Sequence, residues 1–131
     1  MAQEPKLENL KALLVDDEAE FVMTLAERLQ IRGIQARTAT DGQQALAMIE
    51  SEKPQVVVLD IMMPGISGLE VLDYIKKNYP NIEVILLTGR GSTKEGIEGM
   101  QLGAFDFLMK PVKIEELIPR MLEAFQKTQP D

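Results

Sequence analysis

Short apolar runs alternate with amphipathic segments along most of this chain, and that alternation limits its possible folds more than any other feature. The apolar runs occupy five places, at 11–15, 34–38, 56–59, 82–87 and 105–109. Each run is followed by residues with the apolar spacing of a helix face, at 21–29, 45–49, 69–75, 92–102 and 114–125. Strands and helices in strict alternation predict a parallel sheet with helices on both faces. We therefore predict a doubly wound α/β fold of five strands and five helices.

Individual residues mark several ends of these elements. Gly33 is expected to stop the first helix, and Asp41 is expected to cap the start of the second. Gly96 and Gly99 weaken the fourth helix by about 1 kcal/mol each relative to Ala, so we expect this helix to be soft. Pro119 lies within the last helical segment, where it is tolerated only in the first turn or at a kink.

The composition removes many classes of chemistry. The 131 residues include no Cys and no His, which excludes disulfide scaffolds, Cys/His zinc sites, Ser–His or thiol nucleophiles and haem ligation. The formal charge of −7 makes a nucleic-acid backbone an unfavourable partner. Any reaction of this chain must therefore use carboxylates, Lys, Arg, Ser, Thr or a bound metal.

A single domain is expected, with short polar segments at either end. We predict an N-terminal tail at 1–8, one domain at 9–127 and a C-terminal tail at 128–131. No apolar run approaches the length of about 20 residues that a membrane span needs, so no membrane association is expected. The start of the chain lacks the basic and apolar regions of a signal peptide, and we expect a cytoplasmic location.

Ligands of doubly wound folds bind beyond the carboxyl ends of the strands, so these positions are the candidates for function. Four of the five predicted strands end in residues that can carry chemistry. These residues are Asp16, Asp17 and Glu18 after the first strand, Asp60 after the third, Thr88 after the fourth and Lys110 after the fifth. We expect the carboxylates, the hydroxyl and the ammonium group to meet at one edge of the sheet.

Each of these residues also has a plain structural interpretation. Acids after a strand are common at a helix N-terminus, Thr88 suits a strand end or cap, and Lys110 before a proline suits a turn. Asp60 is harder to explain in this way, because four apolar residues precede it and aspartate is disfavoured in strands. Their joint occurrence at one edge favours a functional site.

The set of residue types indicates phosphoryl transfer. Clustered carboxylates repel one another unless their pKa values shift or a cation binds, and a site of oxygen ligands suits Mg²⁺. A lysine and a hydroxyl group opposite the cation would hold the oxygens of a phosphoryl group. A carboxylate within that site is able to act as a nucleophile and form an aspartyl-phosphate.

At these residues the sequence resembles the receiver domain of two-component response regulators, over residues 9–127. Four segments carry the resemblance, and their order and spacing make it specific. They are Leu14-Val15-Asp16-Asp17-Glu18, Val58-Leu59-Asp60-Ile61-Met62-Met63-Pro64-Gly65-Ile66-Ser67-Gly68, Leu87-Thr88-Gly89 and Gly103-Ala104-Phe105-Asp106-Phe107-Leu108-Met109-Lys110-Pro111. The resemblance implies a flavodoxin-like sheet with strand order 2-1-3-4-5, an order that is known for a member of this family.

The resemblance also implies roles for the residues at the sheet edge. Asp60 would be the phosphoacceptor, and Lys110, joined to Pro111 by a cis bond, would pair with a phosphoryl oxygen. Asp17, Asp60 and the backbone carbonyl of Met62 would bind Mg²⁺, while Asp16 would act on the ion mainly through water.

Further positions of the family pattern concern switching and the lifetime of the phosphoryl group. Thr88 would move to hydrogen-bond the phosphoryl group, and Phe107 would follow it from an outward to a buried position. Phe107 has an alternative interpretation as a permanent core aromatic. Met62 and Arg90 would flank the phosphoryl group and tune its hydrolysis, although Arg90 could equally be a solvated loop residue.

By the same resemblance, a sensor histidine kinase or phosphotransfer protein would supply the phosphoryl group to Asp60. The surface formed by the fourth helix, the fifth strand and the fifth helix would then signal to a downstream protein or an output domain. The chain would be a phosphoacceptor that assists its own phosphorylation and dephosphorylation, and not an enzyme. It either acts alone on a partner or is one domain of a longer protein.

Other classes of protein with this architecture fit less well. A flavodoxin-like binding module needs a hydroxyl- and glycine-rich loop where this chain has Asp16-Asp17-Glu18, and a dinucleotide-binding domain needs a G-x-G-x-x-G motif there. A phosphatase with an aspartate nucleophile would need a second aspartate at residue 62, which is methionine. The remaining alternative is a degenerate receiver that serves as a phosphorylation-independent scaffold.

Overall fold

A computed structural model of the chain describes residues 7–89 and 91–129. After a 3₁₀ turn at Leu7–Asn9, strands and helices alternate throughout the described residues. The strands are β1 (Lys11–Val15), β2 (Gln35–Ala39), β3 (Val56–Asp60), β4 (Glu83–Thr88) and β5 (Asp106–Met109). The helices are α1 (Ala19–Ile31), α2 (Gly42–Glu52), α3 (Gly68–Asn78), α4 (Thr93–Gln101) and α5 (Ile114–Thr128). The predicted doubly wound fold is confirmed.

The five strands form one parallel sheet in the order β2-β1-β3-β4-β5. The central strand β3 pairs with β1 and β4, and Asp60 at its end lies in register with Leu87 of β4. Because β1 and β5 end at the same edge of the sheet, Asp16 and Lys110 emerge on either side of Asp60. The sheet topology therefore gathers residues that are far apart in the chain.

Alternate residues of the central strands enter two separate cores. Val58 packs with α1 and α5 on one face of the sheet, while Val57 and Leu59 pack with α2 and α3 on the other face. All five residues of β3 are buried, as expected for a strand covered on both sides. Burial on both faces of the sheet explains why the run of residues before Asp60 is continuously apolar.

The element ends differ from the predicted ones by one to three residues. The second, fourth and fifth strands each begin one residue later than predicted, because Ile34, Ile82 and Phe105 precede the first paired residue. The 3₁₀ turn includes residues 7 and 8, and α5 extends through Thr128, so ordered structure reaches into both predicted tails.

Two of the predicted helix signals have clear structural counterparts, and one does not. The Asp41 side chain accepts a hydrogen bond from the Gln44 amide at 2.8 Å, and Gly33 follows α1 with a φ of +91°. Pro119 lies inside α5 and not in its first turn, contrary to the first of the two predicted options. Pro119 and Glu115, whose carbonyl loses its usual helical donor, are both exposed, so water is available to that carbonyl.

Candidate functional site

Three aspartates meet at the carboxyl edge of the sheet. One carboxylate oxygen from each of Asp16, Asp17 and Asp60 lies within 4.8 Å of the others. Asp16 and Asp60 are almost completely buried, whereas Asp17 is exposed to solvent. The three residues predicted from the strand ends therefore form one pocket that opens toward water on the side of Asp17.

Lys110 reaches this pocket from the end of β5. Its Nζ lies 2.7 Å from Asp16 Oδ2, 3.2 Å from Glu18 Oε1 and 3.6 Å from Asp60 Oδ2. The ammonium group also lies over the ring of Phe21, 5.1 Å from its centroid. Lys110 thus reaches the site at the sheet edge, as its position after a buried strand predicted, and it offsets part of the negative charge of the acids.

The environment of Asp60 disfavours its charged form. Burial raises the pKa of the Asp60 carboxyl from 3.8 to about 6, with a further contribution from the charge of Asp16, although Lys110 opposes the shift. Burial by itself would lower the pKa of Lys110, but its close contact with Asp16 and the charge of Asp60 raise it overall. At neutral pH the site therefore holds an ionised Asp60 beside a charged lysine.

The pocket has the donor set of a magnesium site. Carboxylate oxygens are hard ligands that suit Mg²⁺, and the open side at Asp17 leaves room for the waters that this ion retains. Oδ2 of Asp16 is buried and has no hydrogen-bond donor in suitable alignment among the described residues, although it lies in ion-pair contact with Lys110. This buried oxygen is able to accept a hydrogen bond from a water molecule of the ion, which agrees with a role for Asp16 through water.

The loop after β3 holds Asp60 in place through its backbone. The Met62 amide donates to Asp60 Oδ1 at 3.2 Å, and the Gly68 amide donates to the Ile61 carbonyl at 3.0 Å. A Cβ atom at Gly68 would collide with the Asp60 carbonyl oxygen and lie 2.7 Å from the Ile61 Cα atom. Gly65 has a φ of +75°, a conformation that favours glycine. Steric constraints therefore explain why both Gly65 and Gly68 are glycines.

Thr88 and Phe107 lie together beneath helix α4. The Thr88 hydroxyl is buried and donates to the Leu108 carbonyl at 3.5 Å. Phe107 is half-buried and packs against the core on the α3 side of the sheet. A Cβ atom at Gly96 would lie 3.3 Å from the Phe107 ring and 3.4 Å from the Thr88 methyl group, so α4 contacts both residues through a glycine.

Two contacts of the site were not assigned from the sequence. The sequence pattern predicts Glu18 at the sheet edge without a role for it, and periodicity predicts Phe21 only on the apolar face of the first helix. Both contact Lys110, and no local signal connects positions so far apart in the chain. Met62 has a side chain that is largely exposed beside the site, while Arg90 lies outside the described residues.

A parallel sheet of order 2-1-3-4-5 with three aspartates and a lysine at its carboxyl edge defines a receiver-type signalling domain. Residues 12–122 match the family model of the response regulator receiver domain. The chain belongs to this family.

Longer relatives and solved structures agree with this assignment. The chain is 38% identical over 122 residues to the response regulator MprA of Mycolicibacterium vanbaalenii, a match of 93% of this chain and 53% of that protein. It is 37% identical over 123 residues to MprA of Mycobacterium tuberculosis, covering 94% of this chain and 54% of that protein. The chain therefore spans about half the length of these relatives.

Solved receiver domains superimpose closely on the fold. A response regulator receiver domain protein from Clostridium thermocellum matches with a TM-score of 0.87 and 33% identity, over 90% of this chain and 95% of that one. The receiver domain of NtrX from Brucella abortus matches with a TM-score of 0.83 and 37% identity, over 88% and 98% of the two chains. Within the described residues, no helix has the length and apolar character needed to cross a membrane.

The site agrees with membership of the family. The acidic cluster is consistent with a phosphorylation site, and receiver domains generally use Mg²⁺ at such a pocket. All three aspartates and Lys110 are present and close together. The alternative of a degenerate scaffold is therefore not favoured.

Proposed function

We propose that this chain accepts a phosphoryl group on Asp60 from the phosphohistidine of a sensor histidine kinase or phosphotransfer protein. The convergence of Asp16, Asp17 and Lys110 on one buried aspartate carries the proposal. A buried carboxylate without a structural counter-charge would normally be neutral, and here its surroundings provide both a cation and a candidate metal pocket.

Asp60 has the ionisation state that the reaction needs. With a pKa of about 6, its carboxyl group is mostly deprotonated at neutral pH and is able to act as a nucleophile. One carboxylate oxygen forms a bond to phosphorus while the phosphorus–nitrogen bond of the donor breaks, and the electron pair of that bond remains on the histidine nitrogen. The product is an acyl phosphate on Asp60.

The other residues of the pocket would stabilise charge on the transferred group. Lys110 would pair with a phosphoryl oxygen, since its ammonium group already lies 3.6 Å from Asp60 Oδ2. Asp17, Asp60 and the backbone carbonyl of Met62 would hold Mg²⁺, with Asp16 acting mainly through water. When bound, the ion neutralises the negative charge that gathers as the phosphoryl group is transferred.

Phosphorylation would change the surface formed by α4, β5 and α5. The new dianion would draw the Thr88 hydroxyl toward Asp60 and away from the Leu108 carbonyl, and Phe107, which is half-buried, would follow it to a fully buried position. Met62 and Arg90 would set how quickly water removes the phosphoryl group. A downstream protein or an output domain would recognise the changed surface.

The domain at 9–127 would act as a phosphoacceptor that assists its own phosphorylation and dephosphorylation, and not as an enzyme on a separate substrate. It would function in the cytoplasm, without direct contact with nucleic acid or a membrane.

Intact-protein mass spectrometry after incubation with Mg²⁺ and acetyl phosphate tests the proposal. We expect the wild-type chain to gain the mass of one phosphoryl group, in a bond that is stable to acid and labile to base. The Asp60→Asn variant and a sample with EDTA are expected to gain nothing. An equal gain in Asp60→Asn would show that Asp60 is not the acceptor.

A rapidly hydrolysed product could hide the gain in mass, so a second measurement is needed. Beryllofluoride, a stable mimic of the phosphoryl group, is expected to bind the wild-type chain only with Mg²⁺ present. Failure of both measurements would leave the scaffold function as the better account.

A further inference from the structure

Glu18 contacts the lysine of the site, although it has no part in the proposed phosphoryl transfer. Lys110 Nζ donates a hydrogen bond to Glu18 Oε1 at 3.2 Å, across 92 positions of the chain. Of the three carboxylates around this ammonium group, Asp16 and Glu18 lie closer to it than Asp60 does. The resting lysine is thus held toward the loop between β1 and α1.

The local geometry shows that Glu18 is not used for its own helix. Glu18 occupies the N-cap position of α1, but its side chain makes no capping hydrogen bond. Its local hydrogen bonds are made by the backbone. The Glu18 amide donates to Asp16 Oδ1 at 2.9 Å, and the Glu18 carbonyl accepts from the Val22 amide at 3.0 Å. The carboxylate is therefore free to reach the lysine at no cost to the helix.

The exposure of the three carboxylates decides which contact Lys110 gives up most easily. The side chains of Asp16 and Asp60 are 1% and 7% exposed, whereas that of Glu18 is 67% exposed. A buried carboxylate that loses its cation pays a large desolvation penalty, but an exposed one is rehydrated at once. Glu18 is the partner that Lys110 leaves at the lowest cost when a phosphoryl group appears on Asp60.

We propose that Glu18 is a positioning residue that, together with Asp16, holds Lys110 in a resting ion pair and so competes with Asp60 for its ammonium group. This inference rests on the proposed function of Asp60. In it, Glu18 opposes the phosphorylated state, because Lys110 must leave Glu18 before it pairs with the phosphoryl oxygens.

The test compares Glu18→Gln with Glu20→Gln. Glu20 lies in the first turn of the same helix, is exposed and makes no ion pair among residues 7–89 and 91–129, so it controls for loss of one negative charge. At saturating Mg²⁺, we expect Glu18→Gln to bind beryllofluoride about two- to five-fold more tightly than wild type, the range set by an exposed ion pair. Glu20→Gln should change this affinity by much less.

A second readout uses the protein without Mg²⁺ or beryllofluoride. The NMR signal of the Lys110 side-chain methylene next to Nζ is expected to shift, and to report greater mobility, in Glu18→Gln but not in Glu20→Gln. A charge effect acting only at long range would leave that signal unchanged in both variants.

The possible outcomes separate this inference from the proposed function. If the wild-type chain binds beryllofluoride but both variants behave alike in affinity and in the Lys110 signal, the role of Glu18 is wrong and that of Asp60 stands. If the wild-type chain fails to bind beryllofluoride and gains no phosphoryl mass, the proposed function itself is wrong.

Discussion

The acid–base state of the site depends on one buried carboxyl group, Asp60, and on the charges around it. Burial and the neighbouring Asp16 raise its pKa to about 6, and Lys110 limits the rise. The folded protein therefore binds a proton at Asp60 more tightly than the unfolded chain does. Ionisation of Asp60 at neutral pH therefore lowers the free energy of unfolding. A bound cation would stabilise the ionised carboxylate and offset this loss.

Asp60→Asn is expected to make folding stability less dependent on pH. In the wild-type chain, the stability contributed by protonated Asp60 is fully present below pH 3.8 and is lost as pH rises through about 6. Urea unfolding in EDTA should show that, between pH 4.5 and 7.5, Asp60→Asn gains about 2 kcal/mol relative to wild type.

The control for this prediction is Asp73→Asn, which removes a partly exposed carboxylate that pairs with Lys77 on α3. Its stability relative to wild type should change little across the same range. A constant difference between Asp60→Asn and wild type would contradict the raised pKa.

Helix α3 contacts the site directly, because it begins where the loop after Asp60 ends. Gly68 packs against the backbone of Asp60 and Ile61, and Ser67 caps the helix by accepting from the Glu70 amide at 3.2 Å. The loop geometry that holds Asp60 therefore depends on the close approach of α3 to the end of β3.

Gly68→Ala is expected to destabilise the protein and to displace Asp60. The added methyl group has no space, and forcing it into packed backbone costs about 1–3 kcal/mol. Gly89→Ala is the matched control, because its Cβ atom would meet no described atom within 4 Å and its φ is not in the left-handed region. Chemical denaturation of both variants measures the difference, and equal stabilities would contradict the steric argument.

Helix α4 combines two glycines with close packing on the sheet. Gly99 lies so near β4 that a Cβ atom would collide with Leu86, and Gly96 faces Phe107. Close packing therefore explains why both positions are glycine, and this could not be predicted from the sequence. The expected softness of α4 is a separate consequence of the same residues and remains a prediction.

We expect the amides of α4 to exchange with deuterium faster than those of α3. The helix has nine residues, and its N-cap residue Ser92 makes no side-chain cap, whereas α3 has eleven residues and a cap at Ser67. Hydrogen exchange measured residue by residue tests this difference. Protection of α4 equal to that of α3 would rule out a soft helix.

On the scale of the whole molecule, the site and the proposed output surface lie on adjoining parts of the sheet. The Lys110 amide donates to the Thr88 carbonyl at 2.7 Å, which joins the ends of β4 and β5 at the site. Thr88 and Phe107 then contact α4 through Gly96. A change at Asp60 therefore has a short physical route to β5 and α4.

Beryllofluoride with Mg²⁺ is expected to shift backbone amide NMR signals mainly around the site and in α4, β5 and the start of α5. Signals of β2 and the end of α1, at the far edge of the sheet, should change little. The Asp60→Asn variant controls for non-specific effects of the reagents. Shifts spread evenly over both edges would contradict a directed surface change.

The element order and most of the site were predictable from the sequence because they follow from local patterns. Periodicity distinguishes strands from helices, and a doubly wound topology brings the carboxyl ends of its strands to one edge. Asp16, Asp17, Asp60 and Lys110 were therefore correctly expected to meet there. Strand ends were less predictable, because Ile34, Ile82 and Phe105 are as apolar as the paired residues that follow them.

The particular partners of each side chain were decided only by the tertiary structure. The packing of the helices against the sheet determines three contacts of the site. They are the ion pair of Glu18 with Lys110, the position of Phe21 beside that lysine, and the hydrogen bond from Thr88 to the Leu108 carbonyl. Sequence patterns act over a few neighbouring residues, whereas these contacts join residues up to 92 positions apart. The sequence by itself thus determined which groups meet at the sheet edge, and packing determined which of them touch.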